Sequence, residues 1–127
     1  MDFAKYWQDV AAQDAEALRA WFTPDAEVLW PCTNERFTAA EFIRANCEYP
    51  GDWRGELLRT EALPDGAVTV ARVWSPESGV SCHVTSFFRL ENEHIATLTE
   101  YWADDGPPPA WRQAMGIGRA ISVKETI

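Results

Sequence analysis

A carboxylate and an indole alternate along the last long β-rich segment of the chain, residues 95–103. Side chains alternate between the two faces of a strand, so Leu98, Glu100 and Trp102 share one face. If that face is the buried one, the carboxyl group of Glu100 is poorly solvated and its pKa rises. General acid or base catalysis near neutral pH needs such a carboxyl group. Glu100 is therefore a candidate proton-transferring group if its face of the strand is the inward one.

The neighbours of Glu100 on the preceding segment, residues 80–90, depend on the hairpin loop around Asn92. Asn92 tolerates the left-handed backbone of a three-residue loop, which is the length we favour. That loop places Val84 and Ser86 on the Glu100 face, because turn type fixes the register. A two- or four-residue loop would place His83 there instead, as an acid–base partner for Glu100. His83 is therefore an alternative site residue.

Helical patterns come before the strands that carry these residues. Apolar spacing and capping residues predict helices at residues 3–12, 15–22 and 39–48, with a last helical turn at 110–115. Alternation and turn signals predict a short strand at 26–30 and four long strands at 53–63, 67–74, 80–90 and 95–103. Short connections make the long strands an antiparallel meander. The predicted fold class is α+β.

The composition indicates one acidic globular domain. The 127 residues include 11 basic and 20 acidic side chains, for a formal net charge of −9, and 46% are hydrophobic. This length predicts a single domain over residues 1–127. Nucleic-acid binding is not expected, because it needs clustered Lys and Arg. No membrane partner is expected either, because no segment has the apolar length of a membrane span.

The N-terminal segment and the cysteines bear on location and on metals. Residues 1–10 lack the basic region and the apolar run of a signal peptide. Cys32, Cys47 and Cys82 are widely spaced and lack the spacing of zinc ligands. We therefore expect reduced thiols in the cytoplasm, with no metal site and no cofactor.

Tryptophan is unusually frequent in so short a chain. The seven residues are Trp7, Trp21, Trp30, Trp53, Trp74, Trp102 and Trp111. Indoles bury a large apolar area, and they serve equally in a core or in the wall of a cavity for a flat apolar ligand. The pattern alone leaves both interpretations open.

The order of these elements resembles a known superfamily. Residues 3–115 resemble the nuclear transport factor 2-like superfamily, and its SnoaL-like branch in particular. The resemblance rests on an ordered set of elements: a helix, a short helix, the segment TPDAEVLWP, a capped helix, a meander ending in TEYWAD, and then PPAWR. The resemblance implies a cone-shaped, curved antiparallel sheet packed on the N-terminal helices and enclosing a pocket. It also implies homodimers that form through the sheet. Members include isomerases, dehydratases, cyclases, epoxide hydrolases and non-enzymatic binders.

The ketosteroid isomerases of this superfamily offer a comparison of mechanism. They use a Tyr on the first helix and a protonated acid on a late strand as oxyanion donors, with an Asp base just before a Pro. Tyr6 matches the Tyr, but Trp30 holds the base position before Pro31 and Ser86 holds the position of the acid. Tryptophan cannot accept a proton at neutral pH. The resemblance therefore does not extend to the isomerase mechanism.

The resemblance also selects which strand faces point inward. It implies that Trp102 points inward, and therefore that Glu100 does too. It also implies that Arg72, in the segment 67–74, points inward. Arg72 is then the expected cation for Glu100, in a pair that can bind a ligand carbonyl or carboxylate. The expected pocket residues are Trp30, Val70, Trp74, Val84, Ser86, Leu98 and Trp102, and the expected catalytic residues are Glu100, Arg72 and Tyr6.

Three functions are compatible with these expectations. An enzyme would isomerise, dehydrate or cyclise a small apolar carbonyl or hydroxyl compound, with Glu100 moving a proton and Arg72 or Tyr6 stabilising negative charge. A binding module would hold a small apolar or aromatic molecule without chemistry. A structural dimer would fill the cavity with its own side chains. For single residues the alternatives are a solvated Glu100 at the mouth, a purely structural ion pair with Arg72, and a core role for Tyr6.

Overall fold

Three helices and two strands precede a run of four long strands in the computed structural model, which describes residues 1–121. The helices are α1 (Phe3–Ala12), α2 (Ala15–Arg19), α3 (Ala39–Cys47) and α4 (Ala110–Gln113), with a 3-10 turn at Pro31–Thr33. The strands are β1 (Phe22–Trp30), β2 (Glu35–Thr38), β3 (Arg54–Leu63), β4 (Gly66–Trp74), β5 (Ser81–Glu91) and β6 (His94–Asp104). The bounds of α1, α3 and the four long strands agree with prediction to within one residue. Within residues 1–121, no helix has both the length and the apolar character to cross a lipid bilayer.

The six strands form one curved sheet in the order β2–β1–β6–β5–β4–β3. The predicted meander is confirmed, since β3, β4, β5 and β6 pair antiparallel in sequence order. The predicted α+β class is confirmed. The complete sheet is mixed, because β1, for which the sequence predicted no pairing, pairs with β6 in parallel. Parallel neighbours need a long crossover, and the segment from β2 to β5 supplies it. Among the described strands, β2 and β3 are the two edges, so the sheet is not closed.

Short polar side chains set the starts of α1, α2 and α3. Asp2 caps α1 and Asp14 caps α2, each through a side-chain oxygen that accepts a backbone N–H of the first turn. Thr38 and Glu41 form the predicted capping box at the start of α3. These caps fix where the helices begin, and therefore which of their residues face the sheet.

The chain enters β1 earlier than the sequence pattern predicts. Helix α2 ends at Arg19 and β1 begins at Phe22, so Thr23 to Asp25 lie in a strand instead of a turn. Proline cannot donate to a strand ladder. The pairing of β1 with β6 is interrupted between Phe22 and Glu27, and this irregularity accommodates Pro24.

The β5–β6 hairpin brings Ser86 opposite Glu100. Its loop is shorter than predicted, with two residues, Asn92 and Glu93, whose φ angles are 50° and 66°. Two consecutive left-handed residues are typical of a type I′ turn. By itself, such a loop would have placed Glu100 on the other face of the hairpin relative to Ser86.

A β-bulge beside the turn restores the predicted register. Leu90 pairs with Ile95, whereas Arg89 pairs with Thr97, so Ala96 is an extra residue in β6. The bulge shifts the pairing by one position from there on. The face predicted for β5 and β6 is therefore confirmed, although the predicted loop length is wrong.

The inward face of β4 is the opposite of the predicted one. Its buried residues are Ala67, Thr69, Ala71 and Val73. Residues directly opposite in an antiparallel pair point the same way, and Ala71 pairs with Val84 on the Glu100 face, whereas Arg72 pairs with His83. Val70, Arg72 and Trp74 therefore face away from Glu100. The sequence could not decide this, because apolar residues occupy both faces of β4.

The core lies between α1 and the inward face of the sheet. Tyr6 and Trp7 of α1 are buried, and the ring of Tyr6 meets that of Phe88 edge-on at a centroid distance of 5.4 Å. The indole N–H of Trp7 donates to Oγ1 of Thr69 at 3.3 Å, which ties α1 to β4. The small residues on the inward face of β4 leave room for these rings.

Candidate functional site

Glu100 is the buried centre of the site, on β6, with 1% of its surface exposed. The hydroxyl of Ser86 on β5 donates to its Oε2 at 2.7 Å, and the indole N–H of Trp30 on β1 donates to its Oε1 at 3.1 Å. Antiparallel pairing with β5 and parallel pairing with β1 bring these residues together. Each carboxyl oxygen therefore has one donor from a neighbouring strand.

Burial raises the pKa of Glu100 from its ordinary 4.5 to about 7. Removing water penalises the charged carboxylate, and the hydrogen bonds from Ser86 and Trp30 offset only part of that penalty. Protonated and ionised forms are therefore both populated near neutral pH. A carboxyl group with this balance can give or take a proton.

Glu100 forms part of the wall of a cavity of about 410 Å³. Four aromatic side chains also line this cavity, namely Trp30, Tyr49, Trp53 and Trp102. Asp104, which is exposed, lines the cavity on the strand that carries Glu100. None of the Lys, Arg and His residues within 1–121 belongs to the lining. The wall is thus aromatic and acidic.

The aromatic rings of the wall support one another. Trp30 packs edge-on against Trp102 and against Phe42 of α3, at a centroid distance of 6.2 Å in both cases. Tyr49 and Trp53 pack edge-on at 5.1 Å. Edge-to-face packing of this kind fixes ring orientation. The indole N–H of Trp102 is buried, and no residue within 1–121 accepts a hydrogen bond from it.

Tyr49 and Trp53 are the two aromatic lining residues that were not among the predicted pocket residues. They lie in the connection between α3 and β3, on either side of a Pro-Gly pair. The side-chain amide of Gln13 donates to the backbone oxygens of Tyr49 and Asn46, at 2.7 and 2.8 Å, and holds this connection over the end of α1. Two aromatic residues flanking a turn were the signal that could have identified them.

Tyr6 lies in the core and not in the cavity wall. It is 0% exposed, and within residues 1–121 its hydroxyl has no hydrogen-bond partner. Burial, and secondarily the charge of Glu100, raise the pKa of Tyr6 well above its ordinary value. Since Tyr6 is absent from the described lining of the cavity, the structure gives its hydroxyl no access to a ligand.

Arg72 lies on the opposite face of the sheet from Glu100, so the predicted Arg72–Glu100 pair is wrong. Its guanidinium stacks over the ring of Trp74 at 4.4 Å and donates to Oγ of Ser81 at 3.2 Å. Ser81 in turn donates to Asp105, whose other carboxylate oxygen is hydrogen-bonded to Nδ1 of His83. This outer-face cluster also contains His83, the alternative partner for Glu100. The register of β4 with β5 explains both placements.

The remaining predicted pocket residues divide into three groups. Trp30 and Trp102 line the cavity, whereas Ser86 is buried behind the wall and donates a hydrogen bond to Glu100. Val84 and Leu98 share the inward face but are fully buried in the core. Val70 and Trp74 face outward with Arg72, so their prediction as pocket residues is wrong. Within residues 1–121, no three His, Cys, Asp or Glu side chains are grouped to hold a metal ion.

A model of the SnoaL-like domain matches residues 3–98, which is most of the chain. The chain belongs to the SnoaL-like domain family. The resemblance to the nuclear transport factor 2-like superfamily and to its SnoaL-like branch is therefore confirmed. A search of curated proteins gave no match to this SnoaL-like chain.

Solved structures repeat the fold of this SnoaL-like domain. A candidate ketosteroid isomerase from Kribbella flavida DSM 17836 is 24% identical, covers 94% of this chain and 87% of its own, and superposes with a TM-score of 0.75. An NTF-2 like protein of unknown function from Burkholderia xenovorans LB400 is 22% identical over 92% of this chain and 90% of its own, with a TM-score of 0.73. An LEH-like epoxide hydrolase from M. tuberculosis is 13% identical over 77% of each chain, with a TM-score of 0.63. Likeness at these identities shows the fold alone.

Proposed function

We propose that this SnoaL-like domain binds a small, largely apolar molecule in the cavity and that Glu100 transfers a proton to an oxygen of that molecule. The observation that carries the proposal is a buried carboxyl group, with a pKa of about 7, in the wall of an aromatic cavity. A carbonyl or hydroxyl compound fits, because its oxygen can accept the proton and its apolar body can lie against the indoles.

The charge of the wall favours acid catalysis over enolate chemistry. Since no described Lys, Arg or His lines the cavity, a negative charge that develops on the ligand finds no cation there. Positive charge is stabilised instead, by the aromatic faces and by Asp104. Reactions that begin with protonation, such as dehydration, isomerisation or cyclisation, therefore fit best.

A dehydration illustrates the proton balance. Protonated Glu100 gives its proton to a hydroxyl group, the C–O bond breaks and water leaves. The carboxylate then accepts a proton from the neighbouring carbon, a C=C bond forms, and Glu100 is protonated again. The single carboxyl group thus serves first as acid and then as base, held in place by Ser86 and Trp30.

The Glu100→Gln variant tests this role. Wild-type protein and the variant are incubated with a set of small cyclic alcohols and ketones, and products are followed by mass spectrometry. We expect the variant to lose turnover by about 100-fold or more while still binding the reactive compound. The exposed Glu91→Gln is the matched control. Full turnover in Glu100→Gln would contradict the proposal.

A binding module without chemistry is the second candidate. It is favoured by the single buried carboxyl group in the described wall and by a hydrogen-bond donor, Trp30, at the position where a base is expected. It predicts that a bound compound is recovered unchanged. The third hypothesis, a cavity filled by Trp30, Trp74 and Trp102, is not supported, because Trp74 faces outward and a volume of about 410 Å³ remains.

Assembly through the outer face of the sheet is a further part of the proposal. Phe87 and Tyr101 are each 44% exposed there and pack edge-on at 6.1 Å. We propose that the chain forms a homodimer through this face. We also propose that it resides in a reducing cytoplasm, since Cys32, Cys47 and Cys82 are all free thiols. Sedimentation equilibrium of wild-type and Tyr101→Lys protein tests the dimer. A monomeric mass for the wild type at all concentrations would contradict it.

A further inference from the structure

Acidic and aromatic side chains alternate along the part of β6 that lines the cavity. Residues two apart on a strand share a face and lie about 6–7 Å apart, so Glu100, Trp102 and Asp104 form an acid–indole–acid row. All three line the cavity. Glu100 is at the buried end and Asp104 at the exposed end. Within residues 1–121, the Asp104 carboxylate forms no ion pair.

The aromatic groups face this row from other elements. Trp30 of β1 packs edge-on against Trp102 at 6.2 Å, and Tyr49 with Trp53 contributes a second aromatic pair from the α3–β3 connection. The face of an aromatic ring is electronegative and attracts cations, most strongly for tryptophan. The wall therefore presents negative potential from two kinds of group, with no described basic side chain to cancel it.

We propose that the ligand of this cavity carries a positively charged nitrogen, a protonated amine or a quaternary ammonium group, which lies on the indole of Trp102 beside the carboxylate of Asp104, at the end of the row away from Glu100. This inference rests on the proposed function only in that a small molecule binds the cavity. It adds the charge of that molecule. An apolar body against Trp30 and Trp53 and an ammonium group on Trp102 together match the lining.

The thiol of Cys82 lies at the acidic end of this wall. Cys82 lines the cavity and is opposite Asp104 in the β5–β6 pairing. Burial, and secondarily the charges of Asp105 and Asp104, raise its pKa to about 11. The same charges that disfavour a thiolate there favour a cation. The net charge of −9 for the chain also raises the local concentration of cations at its surface.

Two probes of the same shape and different charge test the inference. Choline carries a quaternary nitrogen, and 3,3-dimethylbutan-1-ol replaces that nitrogen with carbon. Binding of each is measured by calorimetry at fixed ionic strength. We expect choline to bind about tenfold more tightly or better, since cation–π and carboxylate contacts act on choline alone.

The variants Trp102→Leu and Asp104→Asn locate the effect. Each variant is expected to reduce choline affinity severalfold. Asp104→Asn is also expected to leave the affinity for the neutral alcohol within about twofold of the wild-type value. Asp65→Asn, which removes one charge from the turn at the other end of the sheet, is the matched control. It should change neither affinity.

The outcomes separate this inference from the proposed function. Equal affinity for the two probes overturns the inference that the ligand carries a positively charged nitrogen. It is still compatible with a cavity that binds small apolar molecules. Failure of choline to bind at concentrations where the alcohol binds overturns it as well. Loss of choline preference in Asp65→Asn to the same extent as in Asp104→Asn would overturn the placement on β6, because the effect would then reflect net charge.

Discussion

Trp30 and Glu100 are 70 residues apart in sequence, and the indole N–H of one donates to the carboxyl Oε1 of the other at 3.1 Å. Where the resemblance to ketosteroid isomerases implies a base, this chain has a donor. A hydrogen bond to a carboxylate favours its ionised form and so opposes the effect of burial. Trp30 therefore tunes the acidity of Glu100 and cannot act on a substrate as a base.

Replacing Trp30 with phenylalanine should raise the pKa of Glu100 above about 7, because the variant keeps an aromatic ring and loses the donor. Loss of one hydrogen bond to a charged group costs about 1.5–3 kcal/mol when that group is ionised. Carbon-13 NMR of labelled glutamate carboxyl groups across pH measures the shift. Trp111→Phe, at an indole residue that is 65% exposed, is the control. A lowered pKa in Trp30→Phe would contradict the assigned role.

The stability of the fold should depend on pH through Glu100. Its pKa is about 7 in the folded chain and 4.5 as its ordinary value, so between these values the folded state binds more protons than the unfolded state. The contribution of Glu100 to the stability of the folded state is therefore fully present below about pH 4.5 and is lost as the pH rises through about 7. The loss amounts to about 3 kcal/mol, since one pKa unit corresponds to about 1.4 kcal/mol.

Urea unfolding of the wild type and of Glu100→Gln at pH 5 and pH 8 isolates this contribution. Other groups titrate in both proteins, so the difference between the two proteins belongs to position 100. The variant should gain stability relative to the wild type on going from pH 5 to pH 8. An equal pH dependence in both proteins would show that the carboxyl group is not desolvated.

The long elements could be predicted from the sequence because each carries a repeated local signal. Helix α1 has apolar residues at helical spacing behind Asp2, and each hairpin of the meander has turn residues between two β-rich segments. The missed elements are short. The segment 31–38 forms a 3-10 turn and β2. Residues 34–38, NERFT, contain one apolar side chain, so they show no apolar–polar alternation that would indicate a strand.

The candidate site was predictable where one strand face had a distinct character. On β5 and β6 the facing of Ser86 and Glu100 was predicted from a three-residue loop that the chain does not have. The two-residue turn and the Ala96 bulge together give the same register, and no local pattern signals that bulge. On β4 both faces are apolar, so the choice of Arg72 as the cation depended on the resemblance and was wrong. The lining by Tyr49 comes from a connection whose path is set by tertiary contacts with Gln13.

Gly66 should be intolerant of any side chain. A Cβ atom at this first residue of β4 would lie 1.8 Å from the backbone oxygen of Phe88, so the β4–β5 pairing would have to shift. We expect Gly66→Ala to lower the free energy of unfolding by about 3 kcal/mol, at the upper end of ordinary substitutions. Gly106→Ala, where a Cβ atom meets nothing within 4 Å, is the matched control. Similar urea midpoints for the two variants would contradict the close packing at Gly66.

Arg72→Ala decides between the sequence-predicted ion pair and the observed outer-face cluster. Since Arg72 stacks on Trp74 and donates to Ser81, its loss should cost about 1 kcal/mol of stability and leave the pKa of Glu100 unchanged. Ser86→Ala provides the contrast, because it removes a direct donor to Glu100 and should raise that pKa. Both variants are followed by carboxyl NMR titration. If Arg72→Ala raised the pKa of Glu100 as much as Ser86→Ala does, the guanidinium would have to act on the inward face, and the assigned register of β4 with β5 would be wrong.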